Sequence, residues 1–209
     1  MMDYRKYFNK ALRADYPESS EQIIGENEDW FRKISPAISF AKTSKNPMDR
    51  RLEFCAYFLA LIITLDQRRV RYDDIRKICL EIVTDYVKPK SKLHAALKRL
   101  PPKLMNTWIG DKFFRLFHER VSKNENPDGF IVNIITDKKQ TNGLGFGFDI
   151  IECGICKLYA KYNYQKYVPI LCEVDKLTSA MAGLNLIRKS TIALGAKTCD
   201  FRFTKETQY

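Results

Sequence analysis

Apolar residues recur at helical spacing through the first half of the chain. After the turn "SKNPMD", Leu52, Cys55, Phe58, Leu59, Ile62 and Ile63 fall on one face, the pattern of a helix buried along a stripe. Ile75, Ile78, Cys79, Ile82, Val83 and Tyr86 repeat it, and the segment stops at Pro89, which cannot continue a helix. A third helix is predicted around "KLHAALKRL", ending at Pro101 and Pro102. A fourth is predicted from Leu104, Trp108, Phe113, Phe117 and Val121, running into the polar loop "SKNENPDG".

At Gly129 the period changes. "FIVNIIT" and "LGFGFDII" are short and rich in β-branched and aromatic residues, and "DKKQTNG" joins them. Its Asn142-Gly143 pair favours a turn with positive φ. In the second run Phe146, Phe148 and Ile150 share a face. Gly145 and Gly147 lie on the other face, where a neighbour can approach the backbone closely. Helical patterns return in "CGICKLYAKY" and "EVDKLTSAMAGL", and the chain closes on "NLIRKSTIAL" and "TCDFRFT" with Gly195 between them.

This order predicts an α+β fold: a helical N-terminal half packed on an antiparallel sheet of at least four strands, with two helices inserted between hairpins. The strands are expected near 130–136, 144–151, 185–194 and 198–204. The 209 residues are read as a single domain, 1–209, mainly helical over 1–128 and carrying the sheet over 129–209.

Charge narrows the function. The chain has 36 Lys and Arg against 25 Asp and Glu, a net +11. The basic residues are scattered beside acids, as in "DQRRVRYDDIRK", rather than gathered into one patch. No helix-turn-helix, zinc-finger or aromatic RNA-binding signature accompanies them, so the charge reads as a solvated surface and no nucleic-acid partner is expected. The longest apolar run, "FLALIITL", is far shorter than the about 20 residues a membrane helix needs. The charged start "MMDYRKYFNKALRADYP" lacks the apolar core of an export signal. A cytoplasmic protein with reduced thiols is expected.

Four of six cysteines, Cys153, Cys156, Cys172 and Cys199, fall after residue 152. Three readings compete. Reduced cysteine packs as a small hydrophobe, the reading that also suits Cys55 and Cys79 on their apolar stripes. A thiolate zinc site wants two knuckles, and only one C-x-x-C is present, so no metal and no other cofactor is expected. A reactive thiol is the third: Cys153 opens a helix after a strand, a position that lowers a thiol pKa. His94 and His118 lie in the helical half and would reach it only through the fold. Asp175 is read either as the N-cap of its helix or as a carboxylate placed beside Cys172. In the last strand Cys199, Phe201 and Phe203 share one face, with Asp200, Arg202 and Thr204 on the other. Arg202 either pairs with neighbours at the surface or clamps a ligand carboxylate.

From Gly145 to Phe203 the chain resembles the L-2-amino-thiazoline-4-carboxylic acid hydrolase family. The likeness rests on "FGFDIIEC", "CGICKLYAKY", "PILCEVDK", "LIRKSTIALG" and "CDFRF", in that order; "DRRLEFCAYFLALIITLDQRRVRYDDIRKICLEI" resembles the family's helical front half more weakly. The resemblance implies hydrolytic opening of a 2-aminothiazoline ring to an N-carbamoyl cysteine. That chemistry needs a nucleophile or activated water, an acid for the leaving atom and a cation for the carboxylate. Cys153 or Cys172 would serve as the thiol and Asp175 as base or amidine partner. Arg202 would be the carboxylate clamp, Asp200 its orienter, and Cys199 a neighbour in the substrate site. The implied partner is a small molecule bearing a carboxylate; a second copy of the chain is allowed, a membrane is not. The rival reading is a non-catalytic carboxylate-binding domain of the same fold. Cys156 and Lys157 are left without a role.

Overall fold

The computed structural model describes residues 4–91, 107–123 and 125–205. In chain order the helices of the first half are α1 (Arg5–Asp15), α2 (Ser20–Ile34), α3 (Arg51–Gln67), α4 (Tyr72–Val87) and α5 (Trp108–Val121), with a 3-10 segment at Ser35–Lys42. The second half holds β1 (Ile131–Ile135), β2 (Gly147–Glu152), α6 (Gly154–Lys161), α7 (Val168–Met181), β3 (Leu184–Ile187) and β4 (Cys199–Lys205). The fold is α+β, as expected. The helix expected around "KLHAALKRL", with His94, lies outside the described residues.

The helix α3 departs from the expected stripe. Every residue from Cys55 to Leu65 is buried, because its apolar residues run all round the cylinder and such a helix must sit at the centre of the molecule. It packs against α2, α4 and α6. Phe8, Phe54, Tyr57 and Phe58 form an edge-to-face cluster on it. The Tyr57 hydroxyl is not stranded there, since it donates to Glu28 at 2.6 Å. The face of α5 also differs from expectation. Phe114 and Val121 are buried, whereas Trp108 and Phe113 are exposed.

The sheet order is β1-β2-β4-β3, and every pairing is antiparallel. Asn142 (φ 51°) and Gly143 (φ 80°) take the positive φ values the turn requires. In the register Phe148 faces Phe201, Ile150 faces Cys199 and Leu186 faces Phe203. Directly paired residues share a face, so these six form the inner face, and α5 and α7 cover its two ends. Phe148 stacks on Phe201 at 4.4 Å between centroids, and Phe146 stacks on Phe114 of α5 at 4.5 Å.

Two boundaries move. β3 ends at Ile187 instead of continuing to 194. The Asp200 carboxylate accepts the N–H groups of Lys189 (3.0 Å) and Ser190 (2.6 Å). Those donors are lost to any ladder, and the chain turns through a 3-10 segment at Ile192–Leu194 to Gly195 at φ 88°. The helix α7 begins at Val168, with Pro169 in its first turn, not near Asp175.

A buried polar joint ties the start of α3 to β1. Asp49 accepts the Phe130 N–H at 2.9 Å and the Ser44 hydroxyl at 2.6 Å. Asn46 Nδ2 donates to the Phe130 carbonyl at 2.9 Å. Lys157 finds its role beside this joint. Its Nζ donates to the carbonyls of Pro127 (2.7 Å) and Gly129 (3.2 Å) and pairs with Glu152. Gly154 lies so close that a Cβ there would meet the Phe130 ring at 3.1 Å. The N-terminus of α6 is therefore pinned against β1.

Candidate active site

Cys153 is the residue between β2 and α6 and caps the helix in extended conformation, φ −103° and ψ 109°. Cys156, three residues on, occupies the position from which a side chain reaches back to the cap. The neighbouring Cys156 thiol and the backbone N–H groups at the helix start draw the Cys153 pKa down, against burial and the Asp175 charge, which push it up. A helix N-terminus offers such donors to any anion. The other five cysteines go the opposite way. Burial pushes Cys55 and Cys172 up to about 12 and raises Cys79 and Cys199. Cys156 is raised first of all because its proton is held by Cys153. Cys153, at the helix start, is the one thiol of the six whose pKa is drawn down.

The charges around it come from three elements. Asp175, in the middle of α7, accepts from Arg51 Nη2 at 2.7 Å and from Arg188 Nη1 at 3.1 Å. Arg188 Nη2 donates to the Cys172 carbonyl at 2.7 Å, and its guanidinium lies over the Phe201 ring at 4.8 Å. The Arg188 side chain is only 4% exposed and Asp175 14%. Burial works against the Arg51 charge, but Asp175 together with Cys55 and Cys153 more than offsets it and the Arg51 pKa rises. Two guanidinium groups share one carboxylate, which leaves one positive charge over.

Helix geometry places two cavities on opposite sides of α7. At 3.6 residues per turn, Pro169, Cys172, Glu173 and Lys176 lie on one face, and Leu171, Val174 and Thr178 lie on the other. The first face lines a polar cavity of about 430 Å³ with Arg188, Lys189, Ser190 and Thr191. The second lines a cavity of about 330 Å³ against α3, α4 and α6. Asp175 stands on the flank between them, joined to Arg188 on the polar side and to Arg51 on the other.

The structure thus gathers Cys153, Cys172, Asp175 and Cys199 in one neighbourhood, with Cys199 Sγ accepting from the Ile192 N–H at 3.1 Å. It does not bring Arg202 and Asp200 there. Both lie on the outer face of the sheet. Arg202 is held by Asp149 at 2.9 Å and by the carbonyls of Phe201 and Phe148 at 3.0 and 3.2 Å. Asp200 serves the β3–β4 loop rather than Arg202. Asp175 is no N-cap, because α7 starts at Val168, and both its oxygens are engaged by guanidinium groups. His118 has a buried Nδ1 without a partner among the described residues.

Two site residues were missed from the sequence: Arg51 and Arg188. A signal existed for each. Leu184, Leu186 and Arg188 alternate, which puts a charge at the end of an apolar face. Arg51 lies one helical turn before Cys55, at the edge of the α3 core. All six cysteines are free thiols, and among the described residues no three His, Cys, Asp or Glu side chains converge into a group able to hold a metal. No described helix is long and apolar enough to cross a membrane.

The model of a family described as L-2-amino-thiazoline-4-carboxylic acid hydrolase matches residues 50–203. The match takes in Arg51, Cys153, Cys172, Asp175, Arg188 and Cys199, and it reaches forward through the helical half. No curated protein and no solved structure matches the chain.

Proposed function

The chain belongs to the L-2-amino-thiazoline-4-carboxylic acid hydrolase family, and from that premise we propose that it hydrolyses a 2-aminothiazoline-type ring through Cys153. The observation that carries this reading is the placement of the Cys153 thiol. It sits at a helix N-terminus three residues before Cys156, with its pKa drawn down, and is an electrostatic neighbour of Arg51 in the Arg51–Asp175–Arg188 cluster.

The Cys153 thiolate adds to the ring carbon that bears the exocyclic nitrogen. The bond from that carbon to the ring sulfur breaks, and the departing sulfur takes a proton, for which the Cys156 thiol, three residues along the chain, is the candidate donor. The carbon is left on Cys153 as a neutral isothiourea, and the water of the next step returns the proton that Cys156 gave up. Water then adds, the bond to Cys153 breaks, and the thiolate is restored. The oxygen stays as the carbamoyl carbonyl, and the two protons of water end on the former ring nitrogen and sulfur. No oxidant or reductant enters. A polar, carboxylate-bearing substrate suits the cavity that Cys172 and Arg188 line. Lys176 and Lys189 at its edge add positive charge against the single acid Glu173, and the guanidinium fork of Arg188 suits the carboxylate. Asp175 is a positioning residue for the two arginines. Cys172, its pKa raised by burial, lines the polar cavity, whereas Cys153 and Cys199 are not among its lining residues. A thiolate nucleophile of this kind works in a reducing compartment, such as a cytoplasm.

The test is incubation with L-2-aminothiazoline-4-carboxylate and mass analysis. The expected product is heavier by one water, and Cys153→Ser abolishes its formation. Turnover retained by Cys153→Ser sinks the thiol mechanism. Binding without turnover in the native protein leaves a carboxylate binder instead.

A further inference from the structure

The cavity on the far side of α7 has no part in that chemistry. Its walls are mostly apolar, with Phe54, Val83, Val87, Ile155, Leu171 and Val174 joined by Cys55, Tyr86 and Thr178. Arg50 and Arg51 also line it, and no Asp or Glu does. It shares Arg50, Phe54 and Tyr86 with a second cavity of about 560 Å³ beside Tyr4 and Ala41, where Glu53 is the one acid. The two spaces therefore adjoin along Phe54 and Tyr86. Arg51 has one nitrogen committed to Asp175. Arg50 makes no ion pair among the described residues.

An apolar slot flanked by two guanidinium groups is complementary to one kind of small molecule: an apolar body with an anionic head. A polar amino acid derivative is a poor match, because its amine and amide groups would be buried against Val83, Leu171 and Val174 without partners. We propose that this slot is a second ligand site, for a small amphipathic carboxylate such as a medium-chain alkyl or an aryl acid. The carboxylate sits at Arg50 and Arg51 and the tail lies along Phe54, Val83 and Leu171. The helix α7 stands between this site and the polar cavity, so its occupant is a separate molecule and not the tail of the substrate.

The probe is octanoate, followed by titration calorimetry on the full chain, with octylamine and octanol as controls. Octanoate is expected to bind, and octylamine is not. Arg50→Gln, a change at an exposed position, weakens octanoate about two- to fivefold, the effect of losing one exposed charge partner. Thr178→Phe, which fills the slot from α7, removes binding. Absence of octanoate binding to the native protein overturns the proposal, as does equal binding of octylamine. Unchanged affinity in Thr178→Phe overturns it too; should that variant fail to fold, unchanged affinity in Arg50→Gln does so alone. The readout is binding, so it stands whether or not the chain opens thiazoline rings, and Cys153→Ser is expected to bind octanoate like the native protein.

Discussion

Arg188, one residue past β3, continues the inner face of that strand, and Arg202 sits on the outer face of β4. The two side chains are separated by the thickness of one sheet. Arg188 is 4% exposed, stacked over Phe201 and tied to Asp175 among the cysteines. Arg202 is 19% exposed and is engaged through Nη1 by Asp149 and two carbonyls. Its stem runs over Gly147, where a Cβ would meet Arg202 Cδ at 3.1 Å. The close approach expected at that glycine is made by the Phe201 carbonyl, 2.9 Å from that Cβ position, with Arg202 and Thr141 at 3.1 Å, and not by a ligand. The same residue type thus does two jobs, and strand parity decides which. A guanidinium on the outer face is spent on neighbours within the sheet. One on the inner face is desolvated and needs a buried acid, and the acid it finds lies next to the thiols.

The comparison breaks most easily at Asp175. Asp175→Ala leaves Arg51 and Arg188 facing each other without a counter-charge, and Arg188 is buried. Removing one partner of a buried pair costs about 3–5 kcal/mol, to be read from urea unfolding. Adding Arg188→Met removes the stranded charge and is expected to restore most of the loss. An unchanged midpoint in the single variant means that the inner-face charge is not desolvated after all.

A smaller effect belongs to the ring under Arg188. Phe201 is 3% exposed and stacks on Phe148. Phe201→Leu keeps an apolar side chain but loses the stack and the face beneath the guanidinium, for about 1–2 kcal/mol. Smaller again is Arg202→Gln. Its partner Asp149 is 24% exposed and open to water, so the cost is about 1 kcal/mol or less, and ring opening is untouched. If Arg202→Gln instead removes activity and leaves stability alone, the substrate binds on the outer face and the inner cluster is structural.

How far the sequence carried can be judged from these residues. The switch of period at Gly129 and the Asn142-Gly143 turn were enough to place an antiparallel sheet after a helical half, because both are local signals. The pairing of Cys199, Phe201 and Phe203 on a buried face was equally local. What alternation could not say is which face of the sheet carries the chemistry, so "CDFRF" drew attention to Arg202 rather than to Arg188. The start of α7 was misplaced because Asp175 looks like a cap. Pro169, which fits the first turn of a helix, was the better signal. The Asp175 partners come from 124 residues earlier and 13 later, and no spacing rule connects them. The family likeness reached Cys153 and Cys172 but said nothing of the cations beside them.

The least disruptive test moves only a proton. Cys153 has a lowered thiol pKa when folded, so the stability it contributes is present above its unfolded pKa and is lost as pH falls through the folded one. Cys55 and Cys172, raised from the ordinary 9.0 to about 12, act in the opposite sense. Their contribution is present below 9.0 and drains away as pH climbs toward 12. The two signs separate in an alkylation experiment. With limiting iodoacetamide at neutral pH, peptide mass mapping should find label on Cys153 ahead of Cys55, Cys172 and Cys199, because thiolate and not thiol is the nucleophile. Cys156→Ala removes the donor and should move the pH dependence of Cys153 labelling upward. Cys156→Ser, which keeps an O–H in the same place, should restore much of the shift. A merely structural Cys156 would leave the labelling profile where it was in both variants. In that case the helix N-terminus and the arginine pair would have to hold the Cys153 charge by themselves.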